Sequence, residues 1–234
     1  MKVKLLVGIL LFGIALAGIP MAGHFDMVPV IANAADKLVV DDFEGEEIVN
    51  KLGNRANVFV KAPSRIMISK RQDTIEGNPT NVLMLHYDKQ SEGGPYGTGG
   101  WCGYYTLLKS PATLVAPSEG AAEPAQPAED TYMDGTGYKT LTFWVKGEKG
   151  GENFMIGLAD RHWDKIGDSL KSEEIGKYVP AGKITTEWQK ATIPLDVFFL
   201  DYGKLSSVAI SFESDCFPEG KGEGVVYIDD ITFE

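Results

Sequence analysis

The run Asp160, Arg161, His162, Trp163 and Asp164 is the densest group of side chains that could recognise a ligand. Sugar rings stack their C–H faces on aromatic rings, and their hydroxyl groups pair with carboxylate, guanidinium and imidazole groups. This run combines an indole with each of those polar groups. We therefore predict that these residues contact a glycan.

A glycine-rich stretch at 94–101 contributes a second group of candidates. It contains Tyr96 and Trp101, and the strand that continues from it contains Tyr105. Because side chains alternate between the two faces of a strand, Trp101 and Tyr105 project on the same side. We predict that these aromatic residues contact the glycan. The alternative is that they fill the sandwich or lie under the long insertion described below.

Acidic residues occur on both the first and the last predicted strand. Asp42 and Glu44 project opposite Phe43, and Asp229 lies near the end of the last strand. If the two strands pair, these carboxylates crowd together, and a divalent cation with a preference for oxygen ligands relieves their repulsion. Asp42, Glu44 and Asp229 thus form a candidate site for a structural calcium ion. The alternative is a set of exposed acidic strand ends.

Catalytic patterns are missing from the sequence. Besides His24, the chain has only His86 and His162, and it has no Gly-x-Ser-x-Gly nucleophile motif. His86 lies in a largely apolar strand, which favours a histidine packed in the core. We predict a protein that is not an enzyme.

Two cysteines, Cys102 and Cys216, raise the question of a disulfide. In an oxidising compartment they could form one bond. Buried free thiols are the alternative, because the sequence does not establish that their Cα atoms approach within bonding range.

The amino-terminal residues have the pattern of a secretory signal peptide. Lys2 and Lys4 precede an apolar run from Leu5 to Ala22, and an Ala-x-Ala cleavage pattern ends at Ala34. We predict that residues 1–34 are removed on export, which leaves a periplasmic or secreted protein without stable membrane insertion. An uncleaved anchor is the alternative, because the apolar run is about long enough to span a bilayer.

The charge of the chain excludes one class of partner. It has 22 Lys and Arg residues against 33 Asp and Glu residues, a formal net charge of −11. Binding to a phosphate backbone requires clustered cations, so nucleic acid is excluded as a partner.

Most apolar segments are short, alternate with polar residues and end at Gly, Pro, Asn or Asp. This pattern predicts an all-β fold, an antiparallel β-sandwich that occupies residues 35–234 as one domain. Residues 110–137 are rich in Pro, Ala and Glu, which predicts a long loop inserted between two strands. Helical turns are predicted only at 169–177 and 196–200. The predicted strands are 38–43, 56–60, 65–69, 82–88, 101–108, 140–146, 153–161, 189–193, 207–212 and 225–233.

The predicted strand at 153–161 indicates where a binding surface would lie. Phe154, Ile156 and Leu158 share one face, which suits a core, whereas Gly157 and Ala159 share the other. Small residues in mid-strand, followed by the charged and aromatic run at 160–164, indicate the floor of a groove.

Four motifs together resemble those of a known family. They are Asp41–Gly45, Leu141–Gly147, Trp188–Leu195 and Val226–Ile231. In this order they resemble the jelly-roll carbohydrate-binding modules, especially family 11, and the wider galactose-binding-like superfamily. The complex I intermediate-associated protein family has a similar signature. The resemblance implies a jelly roll, a calcium ion where the first and last strands meet, and a glycan on the concave sheet.

Two functions agree with these patterns. The first is an exported, non-catalytic protein that holds a glycan or polysaccharide on a sheet face or on its edge loops. The second, which the complex I assembly relatives imply, is a structural or assembly factor that holds a protein partner on the same fold.

Overall fold

The computed structural model describes residues 37–45, 48–91, 99–111, 129–217 and 219–234. These residues form a short helix, α1 (Arg161–Ile166), 3₁₀ turns and two sheets of strands. The strands are β1 (Leu38–Asp41), β2 (Ala56–Lys61), β3 (Arg65–Ile75), β4 (Asn78–Lys89), β5 (Trp101–Leu107), β6 (Thr140–Gly147), β7 (Met155–Asp160), β8 (Leu170–Glu174), β9 (Gln189–Pro194), β10 (Leu205–Phe212) and β11 (Gly222–Phe233).

The two sheets are antiparallel, which confirms the predicted all-β sandwich. One sheet has the order β3-β4-β11-β6-β9, and β1 also pairs with β11. The other has the order β2-β5-β10-β7-β8. Leu38 pairs with Phe233, so the first and last strands lie side by side, as the sequence predicts.

Alternating apolar residues from both sheets form the core between them. Phe154, Ile156 and Leu158 on and beside β7 are fully buried, as their period of two predicts. Tyr87 of β4 stacks on Phe212 of β10 with ring centroids 3.9 Å apart, which joins the two sheets. These buried side chains pack the two sheets against each other.

The outer face of the six-stranded sheet is covered by its own side chains. Tyr227 of β11 belongs to a second apolar cluster, against which Trp144 and Trp188 pack. The Lys146 ammonium lies over the Trp188 ring and pairs with the Asp73 carboxylate of the β3–β4 hairpin at 2.7 Å. Trp144 is therefore part of a packed outer layer.

Several local predictions were wrong. His86 is exposed on the outer face, because β4 turns Leu85 and Tyr87 inward and His86 outward. The strand predicted to reach Arg161 ends at Asp160, and α1 begins there. The helical turns predicted at 169–177 are instead β8 and a 3₁₀ turn at Ile175–Tyr178. The predicted turn at 196–200 is close to the 3₁₀ turn Leu195–Val197.

Two predicted segments lie outside the described residues. They are the signal peptide at 1–34 and most of the insertion, residues 112–128. Within the described part of the chain, no helix has the length and apolarity to cross a membrane.

Candidate functional site

A groove of about 530 Å³ lies on the outward face of the five-stranded sheet. Its floor crosses the central strands, where Ala209 of β10 pairs with Tyr105 of β5 on one side and Gly157 of β7 on the other. Ser207 of β10 also lines it. Gly157 and Ala159, the small outward residues predicted on β7, are not among the groove-lining residues, because Ser169 lies over Gly157 and Ala159 is buried.

Two glycines leave room for neighbouring side chains to pack against the sheet. A Cβ at Gly103 would come within 2.2 Å of the Phe59 ring and of the Ile210 carbonyl oxygen. A Cβ at Gly157 would come within 2.4 Å of Ser169 Oγ. The Phe59 ring can therefore rest on β5 only because position 103 has no side chain.

Aromatic side chains form one wall of the groove. They are Phe59 of β2 and Trp101 and Tyr105 of β5. The Phe59 and Trp101 rings lie 5.8 Å apart with an interplanar angle of 55°. Trp101 is 40% exposed, which leaves part of its indole open to a ligand.

Charged side chains form the opposite wall. Asp164 of α1, Asp168 of the turn that follows it, Lys171 of β8 and Glu213 after β10 all line the groove. Burial opposes ionisation of Asp168, but the Ser169 N–H and the Lys171 ammonium hold its pKa below the usual range. This wall offers carboxylate oxygens that can accept hydrogen bonds from hydroxyl groups.

Lys109, which precedes the insertion, links α1 to the chain that follows the insertion. Its ammonium lies 2.6 Å from Asp130 Oδ2 and 2.6 Å from Asp164 Oδ2. The Tyr132 hydroxyl donates to the same Asp164 oxygen at 3.0 Å. Burial lowers the pKa of Lys109, but the two carboxylates outweigh it and raise the pKa above its usual range. Asp164 is thus held in place at the edge of the groove.

The structure brings only part of the predicted ligand set to the groove. Trp101, Tyr105 and Asp164 line it. Tyr96 lies outside the described residues. Arg161, His162 and Trp163 belong to α1 and are not among the groove-lining residues.

Asp160 requires a correction, because its carboxylate is used within the fold. Asp160 is 5% exposed. Its Oδ1 accepts the backbone N–H groups of His162 and Trp163 at 2.8 and 3.0 Å, and its Oδ2 accepts that of Asp201 at 2.9 Å. Burial opposes ionisation, but these hydrogen bonds hold its pKa below the usual range. Asp160 is the N-cap of α1, and both of its carboxylate oxygens accept hydrogen bonds from the backbone.

Sequence reasoning missed several lining residues, above all Phe59, Asp168 and Lys171. Each lies on an edge strand or on the turn before one. A usable signal exists for Phe59, because its strand alternates and places it opposite the inward residues Ala56 and Val58. No such alternation indicates that Asp168 and Lys171, on the other wall, line the groove.

The three predicted calcium ligands are divided in the structure. The Asp42 carboxylate pairs with the Lys51 ammonium at 2.6 Å. Glu44 Oε1 and Asp229 Oδ2 lie 2.9 and 2.8 Å from the Thr80 hydroxyl oxygen. Across the described residues, no group of three or more His, Cys, Asp or Glu side chains is arranged to hold a metal ion. These residues as placed do not fit a calcium site, and calcium stays a prediction.

The burial of Asp229 beside other carboxylates changes its pKa. Burial raises its pKa to about 7, and the neighbouring Asp230 and Glu44 carboxylates add to that increase. One Thr80 hydroxyl proton cannot satisfy two ionised carboxylates, so a proton on Asp229 resolves the conflict. Burial likewise raises the pKa of Asp41 to about 6.

We predict that Asp229→Asn stabilises the protein at alkaline pH. The folded state holds a proton on Asp229 that the unfolded chain, with a pKa of about 3.9, releases. Stability of the parent therefore falls as the pH rises from about 4 to about 7, and an amide avoids this loss. The variant should gain about 2–4 kcal/mol over the parent between pH 4 and pH 8, measured by denaturant unfolding with a chelator present.

Asp230→Asn is the comparison variant, because it keeps Asp229 and removes a neighbouring carboxylate that raises the Asp229 pKa, so its gain in stability should be smaller than that of Asp229→Asn. If the unfolding free energies of the parent and Asp229→Asn changed with pH in parallel, Asp229 would carry no proton in the folded state. Repeating the parent's unfolding with calcium tests the calcium prediction, which an unchanged midpoint would remove.

Cys102 and Cys216 are both buried free thiols in the structure, which is one of the two alternatives that the sequence leaves open. Burial raises the pKa of Cys102 to about 12 and that of Cys216 to about 11. Both thiols are therefore protonated and unreactive at neutral pH.

Comparisons with known proteins agree with this architecture. Residues 128–234 match the family described as carbohydrate binding domain 30. No curated protein matches the chain. A family 11 carbohydrate-binding module of a cellulosomal cellulase from Clostridium thermocellum is 14% identical with a TM-score of 0.52, over 86% of this chain and 95% of that one.

A second structure, of the family 11 module from Clostridium thermocellum in complex with a β-1,3-1,4-mixed-linked tetrasaccharide, is 13% identical with a TM-score of 0.54. It covers 84% of this chain and 94% of that one. At these identities the similarity concerns the fold, which is a carbohydrate-binding-module-like jelly roll.

Proposed function

We propose that this protein binds a neutral glycan chain in the groove of the five-stranded sheet, without acting on it chemically. The observation that carries the proposal is the pairing of an aromatic wall, Phe59, Trp101 and Tyr105, with a carboxylate wall across a floor of small residues. Aromatic faces take the apolar side of a sugar ring, and carboxylates accept its hydroxyl protons. The match to carbohydrate binding domain 30 supports this proposal.

The charges of the groove favour a neutral ligand over an anionic one. Of the residues that the structure describes there, three carboxylates, on Asp164, Asp168 and Glu213, line it together with a single ammonium, on Lys171. Lys171 is already paired with Asp168 and Glu213, at 3.0 and 3.5 Å. Because two carboxylates share this one ammonium, a polyuronate would meet a net negative charge, which repels it.

Binding without catalysis is part of the proposal, and the pKa of the groove residue Asp168 supports it. A general acid needs a raised pKa, whereas that of Asp168 is lowered. Among the carboxyl groups that the structure describes, those with strongly raised pKa values are Asp41 and Asp229, on the other sheet. Export is part of the proposal through the signal pattern at 1–34.

Titration with a defined oligosaccharide tests the proposal. We expect the protein to bind a β-1,3-1,4-mixed-linked tetrasaccharide or a related neutral oligosaccharide with a Kd of micromolar order. We expect no detectable binding of oligogalacturonate. Calorimetry measures the affinity, and reducing-sugar release measures any hydrolysis. Absence of binding across a panel of neutral glycans would overturn the proposal and favour the alternative of a protein partner. Release of reducing sugar would contradict its non-catalytic part.

A further inference from the structure

The Lys171 ammonium lies among oxygen atoms from two separate segments at the charged wall. It donates to Ser169 Oγ at 2.8 Å, to Asp168 Oδ1 at 3.0 Å and to the Ser169 carbonyl at 3.2 Å. Glu213 Oε1 lies 3.5 Å away. Asp168 and Ser169 belong to the turn between α1 and β8, whereas Glu213 directly follows β10. The lysine therefore joins an edge of the sheet to its central strand.

The turn that Lys171 holds also shapes the groove floor. Gly167 ends α1 in the left-handed conformation, with φ 78°, and turns the chain toward β8. Ser169 then lies close over Gly157. Both Ser169 and Asp168 line the groove. A shift of this turn would move a carboxylate and change the width of the groove together.

An ammonium has three protons, and Lys171 has four oxygen atoms of the protein around it. Its donors are therefore used within the fold and are not free for sugar hydroxyls. We infer that Lys171 is a positioning residue that holds the Asp168 and Glu213 carboxylates in the geometry that accepts the glycan. This inference rests on the proposed function of the groove.

Positioning of the carboxylates by Lys171 makes the binding of a neutral glycan depend on salt, whereas direct contact between the Lys171 ammonium and the sugar does not. A neutral oligosaccharide has no charge, so its own contacts respond weakly to salt. The pairs of Lys171 with Asp168 and Glu213 are ionic and partly exposed, so salt screens them, as the Debye length falls from about 10 Å at 0.1 M to about 3 Å at 1 M. Binding of a neutral ligand should therefore weaken with salt.

The experiment titrates the mixed-linked tetrasaccharide into the parent, Lys171→Met and Lys171→Arg. We expect about a tenfold loss of affinity for Lys171→Met and a loss within about threefold for Lys171→Arg, which keeps the charge. Between 0.1 M and 1 M NaCl the parent Kd should rise about twofold to threefold, and that of Lys171→Met should stay constant. Lys177→Met is the control, because it removes the nearby ion pair of Lys177 with Glu173, which does not line the groove.

A double-mutant cycle with Glu213→Gln separates positioning from direct contact. Glutamine keeps an oxygen that accepts a hydroxyl proton but loses the ionic pair with Lys171. We expect the double variant to bind no more weakly than Lys171→Met alone. Parent affinity in Lys171→Met, additive losses in the cycle, or the same salt dependence in the parent and Lys171→Met would overturn the inference while leaving the proposed function intact. A parent that binds no neutral glycan would overturn both.

Discussion

Trp101→Ala is expected to weaken glycan binding about 30-fold or more, equivalent to about 2 kcal/mol. Trp101 is the groove aromatic with the open indole face, 40% exposed beside the Phe59 ring. Alanine removes the surface on which a sugar ring stacks and leaves the charged wall in place. Calorimetric titration with the mixed-linked tetrasaccharide measures the loss.

Phe199→Ala is the matched control for this change. Phe199 is 95% exposed and does not line the groove, so the same removal of an aromatic ring should leave affinity unchanged. Both variants should keep the parent's unfolding midpoint within a few degrees, because neither ring is buried in the core. Parent-like binding by Trp101→Ala would show that the glycan does not stack on this wall.

Asp160→Ala is expected to cost about 3 kcal/mol of unfolding free energy. The buried carboxylate accepts two N–H groups at the start of α1 and the N–H of Asp201, which lies 41 residues away in sequence. Alanine leaves these donors without an acceptor and detaches α1 from the loop before β10. Chemical denaturation at pH 7 measures the change.

The pH dependence of this loss has a defined direction. Because the folded pKa of Asp160 is lowered, its contribution is present above about pH 4 and is lost as the pH falls through the folded value. The difference between parent and Asp160→Ala should therefore shrink in acid. Asp134→Ala, which removes an exposed carboxylate that accepts two bonds from Thr136, is the control and should change stability much less. Equal losses in the two variants would contradict the buried role of Asp160.

The sandwich could be predicted because the inward residues alternate strictly along most strands. Phe154, Ile156 and Leu158 show this pattern, and all of them are buried. His86 was misplaced because β4 carries apolar residues on both faces. Its outward residues Val82 and Met84 belong to or pack against the second apolar cluster, so alternation does not distinguish the core side from the outer side.

Groove residues could be predicted where their positions follow from one strand alone, but not where they depend on the order of several strands in the sheet. Alternation along β5 alone places Trp101 and Tyr105 on one face. Phe59 and Lys171 reach the same groove from β2 and β8, the two edges of the sheet, and strand order is not written in local sequence. Asp160 was predicted to contact the glycan because the local sequence does not reveal that its carboxylate accepts the N–H of the distant residue Asp201 as well as those of α1.

The indole N–H signals of the four tryptophans test the central claim most directly. Trp101 lines the groove, whereas Trp144 and Trp188 pack on the opposite outer face. On titration with the mixed-linked tetrasaccharide, the NMR signal of Trp101 should shift with saturation while those of Trp144 and Trp188 stay in place. Saturable shifts of Trp144 or Trp188 with an unmoved Trp101 would contradict binding in the groove.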